Sequence, residues 1–220
     1  SFAGRIAFCT PVLAALLASA GVRAQFLERL SDPEDPLALG SLADGLSENC
    51  RMAGGRWVVF SSRAANLVPE DRNASPDVFL RDRVTGLVER ISVDSDGMQA
   101  RGASTSPDVS DDGRYVVFQS QAPLAAGASS VTVIHVFLRD RALGTTTLLS
   151  ASFDGTPESR NSISPRIDGS GTTVVFASSS RVLIPGDTNN ATDIFAYDIA
   201  TAGLQRISES AMGGAANAPS

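Results

Sequence analysis

The chain repeats itself at a fixed interval of 58 residues. Val58-Val59-Phe60 returns as Val116-Val117-Phe118 and again as Val174-Val175-Phe176. Val78-Phe79-Leu80-Arg81-Asp82 returns as Val136-Phe137-Leu138-Arg139-Asp140 and, with more drift, as Ile194-Phe195-Ala196-Tyr197-Asp198. A constant period of this length, anchored on β-branched and aromatic residues, marks units that bury their apolar faces only against neighbouring units. The usual expectation of one or two independent domains for 220 residues does not apply to such a chain.

Each unit contains the same four strand-like pieces. A short strand (Pro107 to Ser110, Pro165 to Asp168) precedes a glycine turn at Ala53-Gly54-Gly55-Arg56, Asp111-Asp112-Gly113-Arg114 or Gly169-Ser170-Gly171. Glycine at such a turn permits the positive φ that the twist of a tight hairpin requires. A second strand follows at Trp57 to Ser61, Tyr115 to Gln119 and Thr173 to Ala177; it is apolar on both faces, as a strand between stacked sheets should be. A loop of about fifteen residues leads to a third strand at Val78 to Arg83, Val136 to Arg141 and Ile194 to Ile199. A second turn leads to a fourth at Leu87 to Val93, Thr145 to Ala151 and Leu204 to Ser208. Four antiparallel strands per repeat with no helical interlude predict an all-β protein made of β-propeller blades. The units fall at 45–102, 103–160 and 161–218, and Asn217-Ala218-Pro219-Ser220 echoes the start of another. Three blades plus the start of a fourth predict an incomplete propeller, completed by further blades or by another copy of the chain.

Residues 1–24 read as a signal peptide. Arg5 flanks an apolar run from Ile6 to Ala20 that Thr10 and Pro11 interrupt, and Val22-Arg23-Ala24 places small residues where cleavage needs them. Cys9 lies within that run, but Phe8 before it disfavours a lipid anchor. Residues 25–44 read as a linker or strap broken at Asp32-Pro33-Glu34-Asp35-Pro36. No later segment resembles a membrane span. Cys50, left without a disulfide partner, is expected to be a buried small hydrophobe. The net charge is −6, and all 18 basic residues are arginine. An acidic chain without a basic stripe is a poor partner for nucleic acid.

The segments Ile91 to Gly97, Ser106 to Phe118, Asn66 to Asn73 and Asp77 to Asp82 carry a family likeness. Together they resemble the TolB-like (WD-repeat-like) β-propeller repeats of bacterial exported proteins, over about 45–220. The resemblance implies a periplasmic or secreted propeller that serves as an interaction scaffold. The repeats here are longer than those of TolB, and no TolB-like N-terminal domain is visible, so membership of the Tol–Pal system is not implied.

The most pointed chemical pattern lies ahead of the third strand. Asp71-Arg72-Asn73-Ala74-Ser75-Pro76-Asp77 and Asp187-Thr188-Asn189-Asn190-Ala191-Thr192-Asp193 both read D-x-N-x-x-x-D in register. Two readings stand. Asp71, Asn73, Asp77, Asp187, Asn189 and Asp193 present the oxygens that Ca²⁺ prefers, making it the one cofactor the sequence suggests. Alternatively, the same side chains cap local N–H groups in Asx turns. Asp82 and Asp198 fall where an EF-hand loop has its last ligand, but Pro76 and Thr192 occupy the position of its glycine. Unit two is an internal control, with Ser129, Val131 and His135 in these places. Asp140 persists there nonetheless, which argues that Asp82, Asp140 and Asp198 stabilise the turn after the strand.

No catalytic constellation is visible. The single histidine, His135, takes the place of Asp77 and Asp193, and no G-x-S-x-G elbow accompanies the serines. Trp57 aligns with Tyr115 and Thr173 and is expected to pack between sheets. The expected function is a non-enzymatic, exported module that binds a protein or cell-surface polymer through its rim loops. The alternative is the non-catalytic propeller of a larger secreted hydrolase or lyase.

Overall fold

The computed structural model describes residues 43–128, 132–155, 159–187 and 191–209. The signal peptide at 1–24, most of the linker at 25–44, Asn189, and the tail from 210 lie outside them. The described residues form twelve strands in three four-stranded antiparallel sheets, each with its strands in sequence order. Blade one holds β1 (Ser47–Ala53), β2 (Trp57–Ser62), β3 (Asp77–Asp82) and β4 (Val88–Arg90). Blade two holds β5 (Ser104–Val109), β6 (Tyr115–Ser120), β7 (His135–Asp140) and β8 (Thr145–Leu148). Blade three holds β9 (Ser162–Ile167), β10 (Thr173–Ser178), β11 (Asp193–Asp198) and β12 (Gly203–Arg206). These are propeller blades.

Within each blade the second and third strands pair in the same register, so Phe60 faces Phe79, Phe118 faces Phe137, and Phe176 faces Phe195. The rings stack with centroids 5.9, 5.8 and 5.9 Å apart. Such a pair adds roughly 0.5–1.5 kcal/mol beyond the area it buries. Each first strand begins on a serine hydroxyl that meets another on the second strand. The pairs are Ser47 with Ser62, Ser104 with Ser120, and Ser162 with Ser178, at 2.8–2.9 Å. These contacts extend the first strand three residues ahead of Pro107 and Pro165, where hydrophobic patterning alone would start it.

The extension includes a bulge in every blade. The pairing register slips between Glu48 and Arg51, between Thr105 and Asp108, and between Ile163 and Arg166. Asn49, Ser106 and Ser164 take φ of 56°, 53° and 56° at these slips. A bulged edge that carries Pro107 or Pro165 presents no regular row of donors to a stray strand. In blade one the slip includes Cys50, which is exposed. Its expected burial is therefore corrected: it lies on the irregular edge of β1, not between sheets. The fourth strands are shorter than expected; in blade one the amides of Ile91 and Ser92 both turn to the carbonyl of Val78.

The blades stack through their faces. Val59, Val78, Leu80 and Ile91 of blade one form one buried cluster with Val109, Val116, Phe118 and Phe137 of blade two. Val117, Val136, Leu138 and Leu149 of blade two do the same with Val174, Phe176 and Phe195 of blade three. The turn glycines fit this stacking. A Cβ on Gly113 would lie 2.3 Å from the Trp57 ring of the preceding blade, and one on Gly171 would lie 2.9 Å from Tyr115. Trp57 lies between the Arg56 guanidinium, 4.4 Å from its ring centre, and that of Arg141 from blade two, at 4.9 Å.

Gly55 is the counterpart of Gly113 in blade one; its φ is also positive, but nothing lies within 4 Å of an added Cβ. Gly55→Ala should therefore cost only the backbone strain of about 1 kcal/mol. Gly113→Ala adds the collision with Trp57 and should cost about 2–3 kcal/mol. Urea unfolding of the two variants checks this; equal losses would mean that the blade joint does not depend on that contact.

Candidate functional site

The D-x-N-x-x-x-D loop of blade one closes around an arginine. Asp77 opens β3 and is buried, while Arg90 ends β4 beside it. The Arg90 Nη2 lies 3.5 Å from Asp71 Oδ2, and its Nε lies 4.0 Å from Asp77 Oδ2. All three side chains are at most 10% exposed. Gln99, from the segment leading to blade two, donates through Nε2 to Asp71 Oδ1 at 2.9 Å and to Asp77 Oδ2 at 2.7 Å. Ser92 donates to Asp77 Oδ1 at 2.6 Å and accepts the Val78 N–H at 3.0 Å. Burial raises the Asp77 carboxyl above the usual carboxylate range, against the hydrogen bonds from Ser92 and Gln99.

Blade three is built alike. Arg206 Nη1 lies 3.4 Å from Asp187 Oδ1 and 3.8 Å from Asp193 Oδ2. Ser208 donates to Asp193 Oδ1 at 2.6 Å and accepts the Ile194 N–H at 3.0 Å. Blade two lacks the whole arrangement. Leu148 stands at the position of Arg90 and Arg206, and His135 stands at that of Asp77 and Asp193. Leu148 packs into the apolar cluster between blades one and two. His135 is buried, meets Ser150 Oγ at 3.5 Å through Nδ1, and sits edge-on to Phe137. The carboxylates and the arginine are present together in two blades and absent together in the third. That pattern fits a buried charge that requires its counter-charge.

Of the six residues singled out by sequence, Asp71, Asn73 and Asp77 converge in blade one, and Asp187 and Asp193 converge in blade three. Asn73 Oδ1 accepts the Ser75 N–H at 2.9 Å, an Asx turn, and its Nδ2 donates to Asp77 Oδ2 at 3.1 Å. Asp82 and Asp198 do not join these loops, for each sits at the far end of its strand. Asp82 takes a two-pronged contact from Arg56, at 2.9 and 2.6 Å, and accepts the Val84 N–H and the Thr85 hydroxyl. Asp140 repeats this with Arg114, Ala142 and Leu143. Among the described residues, no cluster of three or more His, Cys, Asp or Glu side chains is arranged to hold a metal ion.

Arg90, Arg206 and Gln99 were not legible as parts of the site. The available signal was that arginine recurs at twice the repeat interval, only where both aspartates recur. The serine set Ser92, Ser150 and Ser208 was visible as a strict 58-residue recurrence.

No family model and no curated protein sequence matches the chain. Solved propeller structures are similar to it. The β-propeller domain of the Trilobed protease from Pyrococcus furiosus, which has an open velcro topology, aligns at 13% identity and TM-score 0.48, over 74% of this chain and 43% of that one. A putative TolB from Agrobacterium tumefaciens aligns at 16% identity and TM-score 0.40, over 67% of this chain and 44% of that one. An acylaminoacyl peptidase from Pyrococcus horikoshii aligns at 8% identity and TM-score 0.44, over 74% of this chain and 24% of that one. The chain thus spans less than half the length of these structures. The propeller class of this protein rests on its own strand order and repeat.

Arg90→Leu should cost about 3–5 kcal/mol, because it leaves Asp71 and Asp77 buried without a counter-charge. Adding Asp71→Ser and Asp77→His to Arg90→Leu installs the blade-two set and should restore most of the loss. A triple variant no more stable than the single one would contradict the pairing.

The Arg56 hydrogen bond, outweighing burial, holds the Asp82 carboxyl below the usual carboxylate range. A carboxyl depressed in the folded state contributes stability above its unfolded pKa of about 4, and that contribution is lost as pH falls. Asp82→Asn should therefore flatten the fall in melting temperature between about pH 4 and pH 2. An unchanged slope would show that the Arg56 contact does not hold in solution.

Proposed function

We propose that this protein is a non-enzymatic, exported propeller module whose rim loops bind a protein or a cell-surface polymer. The observation that carries this reading is the contrast between scaffold and loops. Strand order, register, stacked phenylalanines and serine pairs recur in every blade, while the segments 63–76, 121–134 and 179–192 vary most between units, the first and third sharing the D-x-N start of the buried cluster and the second departing from both. All three join the second strand of a blade to the third, so they emerge from the same end of the sheets. Variable loops on a rigid repeated frame suit recognition. The blade-one loop leaves Glu70 and Arg72 in solvent, each with its side chain 77% exposed.

Burial of His135 supports the non-enzymatic reading, since that imidazole lies inside blade two rather than in a cleft. Export rests on the Arg5, Ile6 to Ala20 and Val22-Arg23-Ala24 pattern. Among the described residues, no helix is long and apolar enough to cross a membrane. For the D-x-N-x-x-x-D loops, we favour arginine over Ca²⁺ as the resident cation.

Two measurements test these readings. Immobilised protein should retain purified cell-wall glycan or an envelope protein, and Glu70→Ala with Arg72→Ala should weaken that retention at unchanged melting temperature. Retention that survives this change and equivalent changes in the other two loops would remove the rim from the account. Chelator and added Ca²⁺ should both leave the melting temperature unmoved; a rise with Ca²⁺ that Asp187→Ala abolishes would restore the metal reading.

A further inference from the structure

The two end faces of the stack differ. On blade three, Ile194 and Ile207 are 39% and 49% exposed. On blade one, Val58, Phe60, Phe79 and Val88 make up the opposite end face and are at most 5% exposed. In blade two the positions of Val58, Phe60 and Phe79 hold Val116, Phe118 and Phe137, which blade one covers with Val59, Val78, Leu80 and Ile91. The blade-one face is as deeply buried, yet among the described residues no other blade contributes to its cluster.

Part of the cover comes from the loop after β2. Ala64 and Leu67 join the cluster, and Val68 packs on it. The same loop supplies Ala122 and Ala125 in blade two, where a whole facing sheet still closes the joint. The chain enters blade one over this same face. Ala43 packs on the cluster. Asp44 is then clasped to the loop, donating its N–H to Asn66 Oδ1 at 3.1 Å and accepting the Ala65 N–H on Oδ1 at 2.8 Å. The Leu46 carbonyl accepts the Arg63 N–H at 2.9 Å.

The sequence just ahead of Ala43 suits the place. Leu37, Leu39 and Leu42 form the nearest apolar stretch, and Pro36 ends the acidic one before it. Residues 37–42 in extended form would reach about 20 Å, whereas the first and fourth strands of a sheet lie about 14 Å apart. The stretch is long enough to cross the blade from β1 to β4.

We propose that residues 37–42 lie across the outer face of blade one and seat their leucines on Val58, Phe60 and Val88. The face is then taken by the chain's own segment rather than by another sheet. Blade one becomes a closed end of the stack, and a ring closed through it would require this segment to leave. The inference is independent of what the rim loops bind.

Thermolysin, which cleaves ahead of leucine, tests the seat in the unaltered full chain. Cleavage ahead of Leu37 and Leu39 should be at least about tenfold slower than in a free peptide of residues 31–46. Leu37→Asp with Leu39→Asp should lower the melting temperature of the full chain by about 5–10 °C. Leu37→Met with Leu39→Met should retain most of the parent's value. Leu16→Asp with Leu17→Asp should leave both readings unchanged.

Leucines cut as fast in the chain as in the peptide overturn the proposal. So does a melting temperature that the Asp pair leaves unmoved, or a Met pair as damaging as the Asp pair. An equal loss from the changes at 16 and 17 would assign the face to the earlier apolar run and equally overturn it. Protection that grows with protein concentration would assign the face to a second copy and do the same.

Discussion

Everything in this fold depends on one sheet covering the face of the next. A four-stranded blade whose strands are apolar on both sides cannot stand alone in water. The Val-Val-Phe segment shows how the chain meets that constraint. Val59 and Val117 point to the following blade, while Val116, Phe118 and Val174 point to the preceding one, so a single strand contributes to two joints. The strict 58-residue spacing keeps every such strand at the same height in the stack. The stacked phenylalanine pairs stiffen each sheet from within. Glycines at 113 and 171 let the hairpin turns lie flat against the aromatic ring of the previous blade.

Against that apolar frame, the buried charges are the elements that need explaining. Two blades bury a pair of carboxylates at the start of the third strand, and both bring an arginine from the end of the fourth. Arginine suits this place, because a planar guanidinium reaches two carboxylates at once without losing its charge. In blade two, histidine and leucine replace the set, and the fold remains the same. The charged cluster is therefore not needed to form a blade. It fixes the approach of the long second-to-third loop, and Gln99 ties that loop to the segment entering the next blade.

The architecture was legible because its cause is periodic. Strand number, antiparallel order and the stacking of units all follow from Val58, Val116 and Val174 lying at equal spacing between glycine turns. The edges were less legible. Bulges at Asn49, Ser106 and Ser164 depend on hydroxyl pairs between strands that are distant in sequence, and no local pattern reports these. Cys50 departs from its expected burial for that reason: it lies within β1, on the bulged edge. The aspartates of the candidate site were found by type and spacing. Their arginine partners were missed because a cation arriving from a later strand leaves no trace in the loop itself.

The dependence of each blade on its neighbour is tested most directly by following unfolding with two probes at once. Trp57, the chain's single tryptophan, lies at the joint between blades one and two, so its fluorescence reports that contact. Far-ultraviolet circular dichroism reports the strands of all three blades. The account predicts that both signals change together across one urea transition. A tryptophan transition well separated from the loss of strand signal would show that the blades hold their structure without one another.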